Sequence, residues 1–138
     1  MASTFTDLGL ELMATGENAG TWGTKTNANI NLIEQLTGGF ATLSIAGGAG
    51  TQALDIDNGA LTGTAQQRII EFTGTISGNR IITIPNDVET FYILKNSTSG
   101  AYTVQFKYAT GSGSSTTFSA TDKGIKIVYA SASPDATN

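Results

Sequence analysis

The sequence predicts a mainly β protein, a β-sandwich or jelly-roll-like domain preceded by an extended N-terminal arm and one short helix. Its polar residues are chiefly Gly, Ser, Thr and Asn, and charged residues make up only 13%, a mixture that favours strands and turns. From Phe40 onward apolar residues recur at every second position, the period of a half-buried strand. Turn-forming clusters break these runs at short intervals, the spacing of an all-β domain. A chain of 138 residues is long enough for one core. The expected division is an attachment arm and helix over residues 1–39, a β-domain over 40–130 and a polar tail over 131–138.

In chain order, Leu8, Leu10 and Leu12 alternate with Gly9 and Glu11, as an extended arm would, and an apolar row on an arm needs another surface to cover it. Thr21 to Leu36 reads as the helix, because Trp22, Thr26, Ile30, Ile33 and Leu36 fall at three- and four-residue intervals and Gly38 and Gly39 supply a stop. Asn27, Asn29 and Asn31 are poor helix formers, so packing must hold this helix. Strands are expected at Phe40 to Ile45, around Leu54 and Ile56, at Arg68 to Thr73, around Ile82 and Ile84, at Thr90 to Lys95, at Tyr102 to Tyr108 and around Ile125, Ile127 and Tyr129. Ser77-Gly78-Asn79 and Asn96 to Gly100 read as hairpin turns.

Composition narrows function. The net charge is −4, and the seven basic residues are scattered, whereas nucleic-acid binding requires clustered cations; no nucleic acid is expected as partner. No apolar run approaches the ~20 residues that span a bilayer, so no membrane insertion is expected, and Met1 to Leu12 lacks the basic start of a secretory signal. With neither His nor Cys, the usual general base, the commonest metal ligand and the most reactive nucleophile are all missing. No catalytic residue, metal site or cofactor is therefore expected.

The remaining constellations read as structure. Glu71 and Glu89 are acids on or beside strands, and a glycosidase would need such a pair about 5–10 Å apart. Asp55, Asp57, Asn58 and Gly59 open like a calcium loop, but Gln66 stands where the closing Glu belongs. Gly47, Gly48 and Gly50 lack the Lys-Ser/Thr pair of a phosphate loop. Tyr92, Tyr102, Tyr108 and Tyr129 could offer sugar-stacking faces, although Tyr102, Tyr108 and Tyr129 fall in phase with core positions.

Asp7-Leu8-Gly9-Leu10-Glu11, the run Ala14 to Gly23 containing Thr21-Trp22-Gly23, and the Asn-rich Thr26 to Glu34 together resemble the opening of tail-fibre-like virion structural proteins of bacteriophages that infect marine bacteria and cyanobacteria. The likeness covers about the first quarter of the chain. More loosely, Leu61 to Thr64, Asn79 to Pro85, Tyr92 to Asn96 and Thr98 to Val104 are similar to the β-modules that follow this opening. Tail fibres usually continue into longer distal regions, whereas this sequence stops at Asn138, leaving a short fibre, a particle-proximal piece or a head decoration protein as readings.

What the resemblance implies is a non-enzymatic virion protein, a tail fibre or its particle-attached portion, with a capsid decoration protein and a carbohydrate-binding module as alternatives. Its expected partners are other virion proteins (a tail adaptor or the capsid), two further copies in a homotrimer, and a host surface glycan. Leu8, Leu10, Leu12 and Trp22 are the expected virion-docking residues and Ile30, Ile33 and Leu36 the expected oligomer interface. The strand-end residues Asn96, Ser97, Thr98, Ser112 and Ser114 are the expected surface contacts.

Overall fold

The computed structural model describes residues 2–134, and residues 135–138 of the expected tail lie outside them. The N-terminal segment is not a free arm. Its apolar-polar alternation folds back on itself as a small antiparallel hairpin of β1 (Thr4–Phe5) and β2 (Glu11–Leu12). Gly9, at φ +85°, lets the chain reverse there, and its N–H donates to the Thr6 carbonyl at 2.8 Å. A second reversal over Gly16, Asn18 and Gly20, all at positive φ, feeds α1 (Trp22–Gly38).

The rest of the protein is mostly β, in two mixed four-stranded sheets. One has the order β10-β7-β5-β3, from β3 (Phe40–Ser44), β5 (Ile69–Thr73), β7 (Glu89–Asn96) and β10 (Ile125–Ser131). The other has the order β4-β6-β8-β9, from β4 (Gly50–Ala53), β6 (Arg80–Ile84), β8 (Val104–Tyr108) and β9 (Thr116–Phe118). In chain order the first three strands of each sheet are parallel and the last, β10 or β9, is antiparallel. From β3 to β8, strands consecutive in sequence lie in opposite sheets, so the chain coils: β3–β4, β5–β6 and β7–β8 are successive turns stacked in register, after which β9 pairs back on β8 and β10 on β7 to finish one sheet each. β10 includes Ser131, one residue past the expected end of the β-domain.

This coiling corrects the expected hairpins. Ser77-Gly78-Asn79 and Asn96 to Gly100 do reverse the chain, but they carry it from one sheet to the other, because the preceding turn, and not the preceding strand, offers the open hydrogen-bonding edge. At these corners backbone lies on backbone, with parallel bridges Gly47 to Ile76 and Thr75 to Ser99. A side chain does not fit between. A Cβ on Gly78 would stand 2.2 Å from the Ala49 nitrogen, and one on Gly100, at φ +104°, 2.1 Å from the Ile76 carbonyl oxygen.

The core lies between the sheets. Ile70, Phe72, Tyr92 and Leu94 from one meet Ile82, Val104, Phe106 and Phe118 from the other, with Tyr92 edge-on to Phe106 at 5.5 Å. The Tyr92 hydroxyl donates to the Ala65 carbonyl at 2.8 Å, and burial raises its pKa well above the ordinary value. In β10 the inward residues are Val128 and Ala130, while Ile125, Ile127 and Tyr129 point out. Tyr129 is thus not a core residue: the large aromatics opposite leave room only for small side chains from this strand.

The corner glycines give a direct test. Gly100→Ala should destabilise by about 3 kcal/mol or more, combining strain at positive φ with overpacking against backbone. Gly16→Ala, also at positive φ but with nothing near its Cβ position, should cost only about 1 kcal/mol; urea unfolding of the two variants measures the difference.

Candidate interaction surfaces

Three side-chain amides tie the N-terminal segment to the β-domain. Gln66, fully buried, donates through Nε2 to the Leu8 carbonyl at 2.9 Å and accepts at Oε1 from the Asp57 N–H at 3.0 Å. Gln35 of α1 donates to the Gln66 carbonyl at 2.9 Å. Asn29 pairs with the backbone of Glu11 as a strand would, accepting from its N–H at 2.9 Å and donating to its carbonyl at 2.8 Å. The helix-poor asparagine is therefore explained, since it reads the edge of β2. Lys25 reaches Glu11 at 3.0 Å, and its hydrogen bond holds that carboxyl below the ordinary pKa.

This anchoring divides the expected docking residues. Leu8 packs against the core and Leu10 is half-buried, so both hold the hairpin down. Leu12 and Trp22 remain open, at 55% and 66% exposed. Ile30 and Ile33 are also exposed, whereas Leu36 is half-buried. At 100° per residue Trp22, Ile30 and Ile33 share one face of α1, and the helix inserts Leu32 instead, a residue that the three-and-four spacing of the larger stripe concealed.

A second apolar surface is the outer face of the β10-β7-β5-β3 sheet. The register lines up Ile127, Ile93, Ile69 and Phe40 across all four strands, with Tyr129 beside Phe91 in the next row. The Arg68 guanidinium covers the Phe91 ring at 3.8 Å. The neighbouring row carries Ile125, Lys95, Glu71 and Thr42, and its two charges pair at 3.0 Å. By contrast, the outer face of the other sheet presents Thr51, Ile81, Gln105 and Thr117 in register.

The expected strand-end contacts separate as well. Asn96 and Thr98 are buried, at 0% and 4% exposed, which removes them from the surface. The Asn96 amide donates to the Asp122 carbonyl at 2.8 Å and accepts from the Thr98 hydroxyl at 2.7 Å, a bridge between the end of β7 and the turn before β10. Ser97 is exposed but donates its hydroxyl to Glu71. Ser112 and Ser114 are exposed, and Ser114 lines a cleft of about 250 Å³ with Phe106, Lys107, Tyr108 and Tyr129. Of the tyrosines, Tyr92 and Tyr108 are buried, and Tyr102 and Tyr129 present open rings.

Glu71, Asp55 and Asp57 make local structural contacts. Glu71 accepts from Ser97 and pairs with Lys95, which hold its pKa below the ordinary value. Glu71 lies level with Lys95, six positions along β7 from Glu89, on the order of 20 Å away at strand rise, beyond the reach of a two-carboxylate mechanism. Asp55 accepts from the Thr64 N–H and hydroxyl, and Asp57 from the Thr62 hydroxyl at 2.6 Å, closing a loop upon itself. Among the described residues no group of three or more His, Cys, Asp or Glu is placed to hold a metal ion.

Comparison of the chain with protein-family models, with curated proteins and with solved structures finds no match.

The Glu11 latch predicts a pH dependence. Because its pKa is depressed on folding, its contribution is fully present above the ordinary value of 4.5 and is lost as pH falls through the lower folded value. Hydrogen exchange of residues 2–12 should hold its neutral-pH protection down to the ordinary value of 4.5 and accelerate, after correction for intrinsic rates, as pH falls below it. Lys25→Met should remove most of that step.

Proposed function

We propose that this chain is a non-enzymatic structural protein of a phage virion, a tail fibre or the particle-attached portion of one, which assembles as a homotrimer and supports adhesion to the host surface. The observation that carries the reading is the N-terminal segment. The residues that resemble the opening of tail-fibre-like proteins, Asp7 to Glu11, Ala14 to Gly23 and Thr26 to Glu34, supply the hairpin's turn and the start of β2, the reversal ahead of the helix, and most of α1. That assembly places Leu12, Trp22, Ile30 and Ile33 in solvent.

Trp22 is the sharpest case. A tryptophan at the first residue of a helix, two-thirds exposed, adds little to its own fold, whereas aromatic anchors dominate protein interfaces. Since Trp22, Ile30 and Ile33 share one helix face, they serve one partner. In this reading that partner is the particle, so Ile30 and Ile33, expected at the oligomer interface, are reassigned to docking because they share the face of Trp22, and the hairpin is a rigid plug held by Gln66 and Asn29, not a loose tether. Rigidity lowers the ordering cost of docking, and many copies on one particle multiply weak adhesion by about 10²–10⁴.

The alternative of a capsid decoration protein uses the same surface and differs in its place on the particle. A carbohydrate-binding module has in its favour the cleft beside Tyr129, whose open ring and neighbouring Ser114 and Ser115 match what a sugar needs. Glycan binding by the isolated chain that survives removal of residues 1–20 would favour that module over the virion protein.

Trp22→Asp combined with Ile33→Asp should abolish incorporation into particles, read by immunoblot of purified virions, while unfolding free energy changes by only about 0.5 kcal/mol because both sites are exposed. Immunogold label should sit on the tail. Label at head lattice points would replace the fibre with the decoration protein, and normal incorporation of the double variant would end the docking assignment.

A further inference from the structure

We infer that the outer face of the β10-β7-β5-β3 sheet is the contact between copies of this chain, separate from the helix face that meets the particle. The inference rests on the reading above only for the number of copies. Five of its side chains are wide open: Phe40 56%, Phe91 47%, Ile125 64%, Ile127 73% and Tyr129 65%. At roughly 200 Å² for a side chain of this size, they expose on the order of 600 Å² of apolar surface. The half-buried Ile69 and Ile93 lie within the same patch.

That area is at the upper limit of what a monomer leaves uncovered, about 300–600 Å², and supplies most of the roughly 800 Å² that each partner gives to a standard interface. The face's apolar rows have the composition of a core half. Their residues, Ile, Phe and Tyr, match Ile70, Phe72, Tyr92 and Leu94 on the inner side of the same strands, and permanent homo-oligomer interfaces resemble a domain core cut in two.

Charge points the same way. Four charged side chains border the apolar rows, Arg68 and Lys95 against Glu71 and Glu89, and their charges cancel; Lys95 pairs with Glu71, and Arg68 covers Phe91, where it also donates to the Phe91 carbonyl and the Thr90 hydroxyl. The patch therefore offers no net charge for an acidic or basic partner to recognise, and a copy of the same neutral face meets it without repulsion. A neutral apolar face of this size fits a permanent contact, and closed homo-oligomers are the commonest permanent arrangement. The polar outer face of the opposite sheet then stays toward water.

The full chain alone tests this, by sedimentation and native mass measurement at about 100 μM and below. Wild type should form a closed multiple of the 14.2 kDa chain. Ile127→Asp should weaken association about 100-fold or more, and Thr117→Asp, on the polar face, should leave it unchanged. Ile127→Thr, which keeps the β-branched shape and tolerates the strand, guards against misfolding of the aspartate variant and should weaken association in the same direction. A monomeric wild type, or a multimer indifferent to both Ile127 variants, would overturn the inference. A dimer would support it and remove the trimer, and loss of particle incorporation by the Trp22 and Ile33 variants with mass unchanged would separate the two surfaces.

Discussion

The stacking of one chain turn upon the next, backbone to backbone at the corners, sets the terms for everything else in this protein. Parallel neighbours lie about 4.8 Å apart, and where Gly78 meets Ala49 and Gly100 meets Ile76 that spacing admits no side chain. The turns are thereby held in one register. That register brings Ala41, Ile70 and Leu94 into one inward row, and the same constraint brings Phe40, Ile69 and Ile93 into one outward row. The core and the exposed apolar face are two readings of a single alignment.

The N-terminal segment depends on a different device. A two-residue hairpin and a helix rich in asparagine carry little stability of their own, and they are fixed by amide side chains acting as substitutes for backbone. Asn29 completes an edge of β2, and Gln66 links the hairpin turn, the 55–66 loop and, through Gln35, the helix. Buried amides are costly when unpaired, so this network fixes one orientation of the segment. The exposed Leu12, Trp22, Ile30 and Ile33 are presented on a defined scaffold as a result.

Much of the fold was legible because strand and helix periods are local. The helix expected at Thr21 to Leu36 occupies Trp22–Gly38, and the runs at Phe40, Arg68 and Thr90 are strands almost to the residue. The coil leaves a fainter signal: Ile69 stacks on Ile93 and Arg80 on Val104, each 24 positions apart, a period of the kind that marks stacked repeats. The first turn weakens the repeat, since Gly50, Thr51 and Gln52 stand where later turns carry Arg80, Ile81 and Ile82. Turn residues report a reversal of the chain but not which strand it will pair with. From Ile127 to Ala130 both sets of alternate residues in β10 are apolar, so size decided the face. The smaller Val128 and Ala130 went inward because Tyr92, Phe106 and Phe118 already fill the interior.

The position of β10 in the chain order has a bearing on timing. Ribosomes deliver the segments in sequence, and β3, β5 and β7 can stack as soon as they emerge. Ile125, Ile127 and Tyr129, the most exposed part of the dry face, arrive only after the three parallel strands and the polar sheet are complete. The larger part of the dry face is therefore presented only when the rest of the β-domain is already in place.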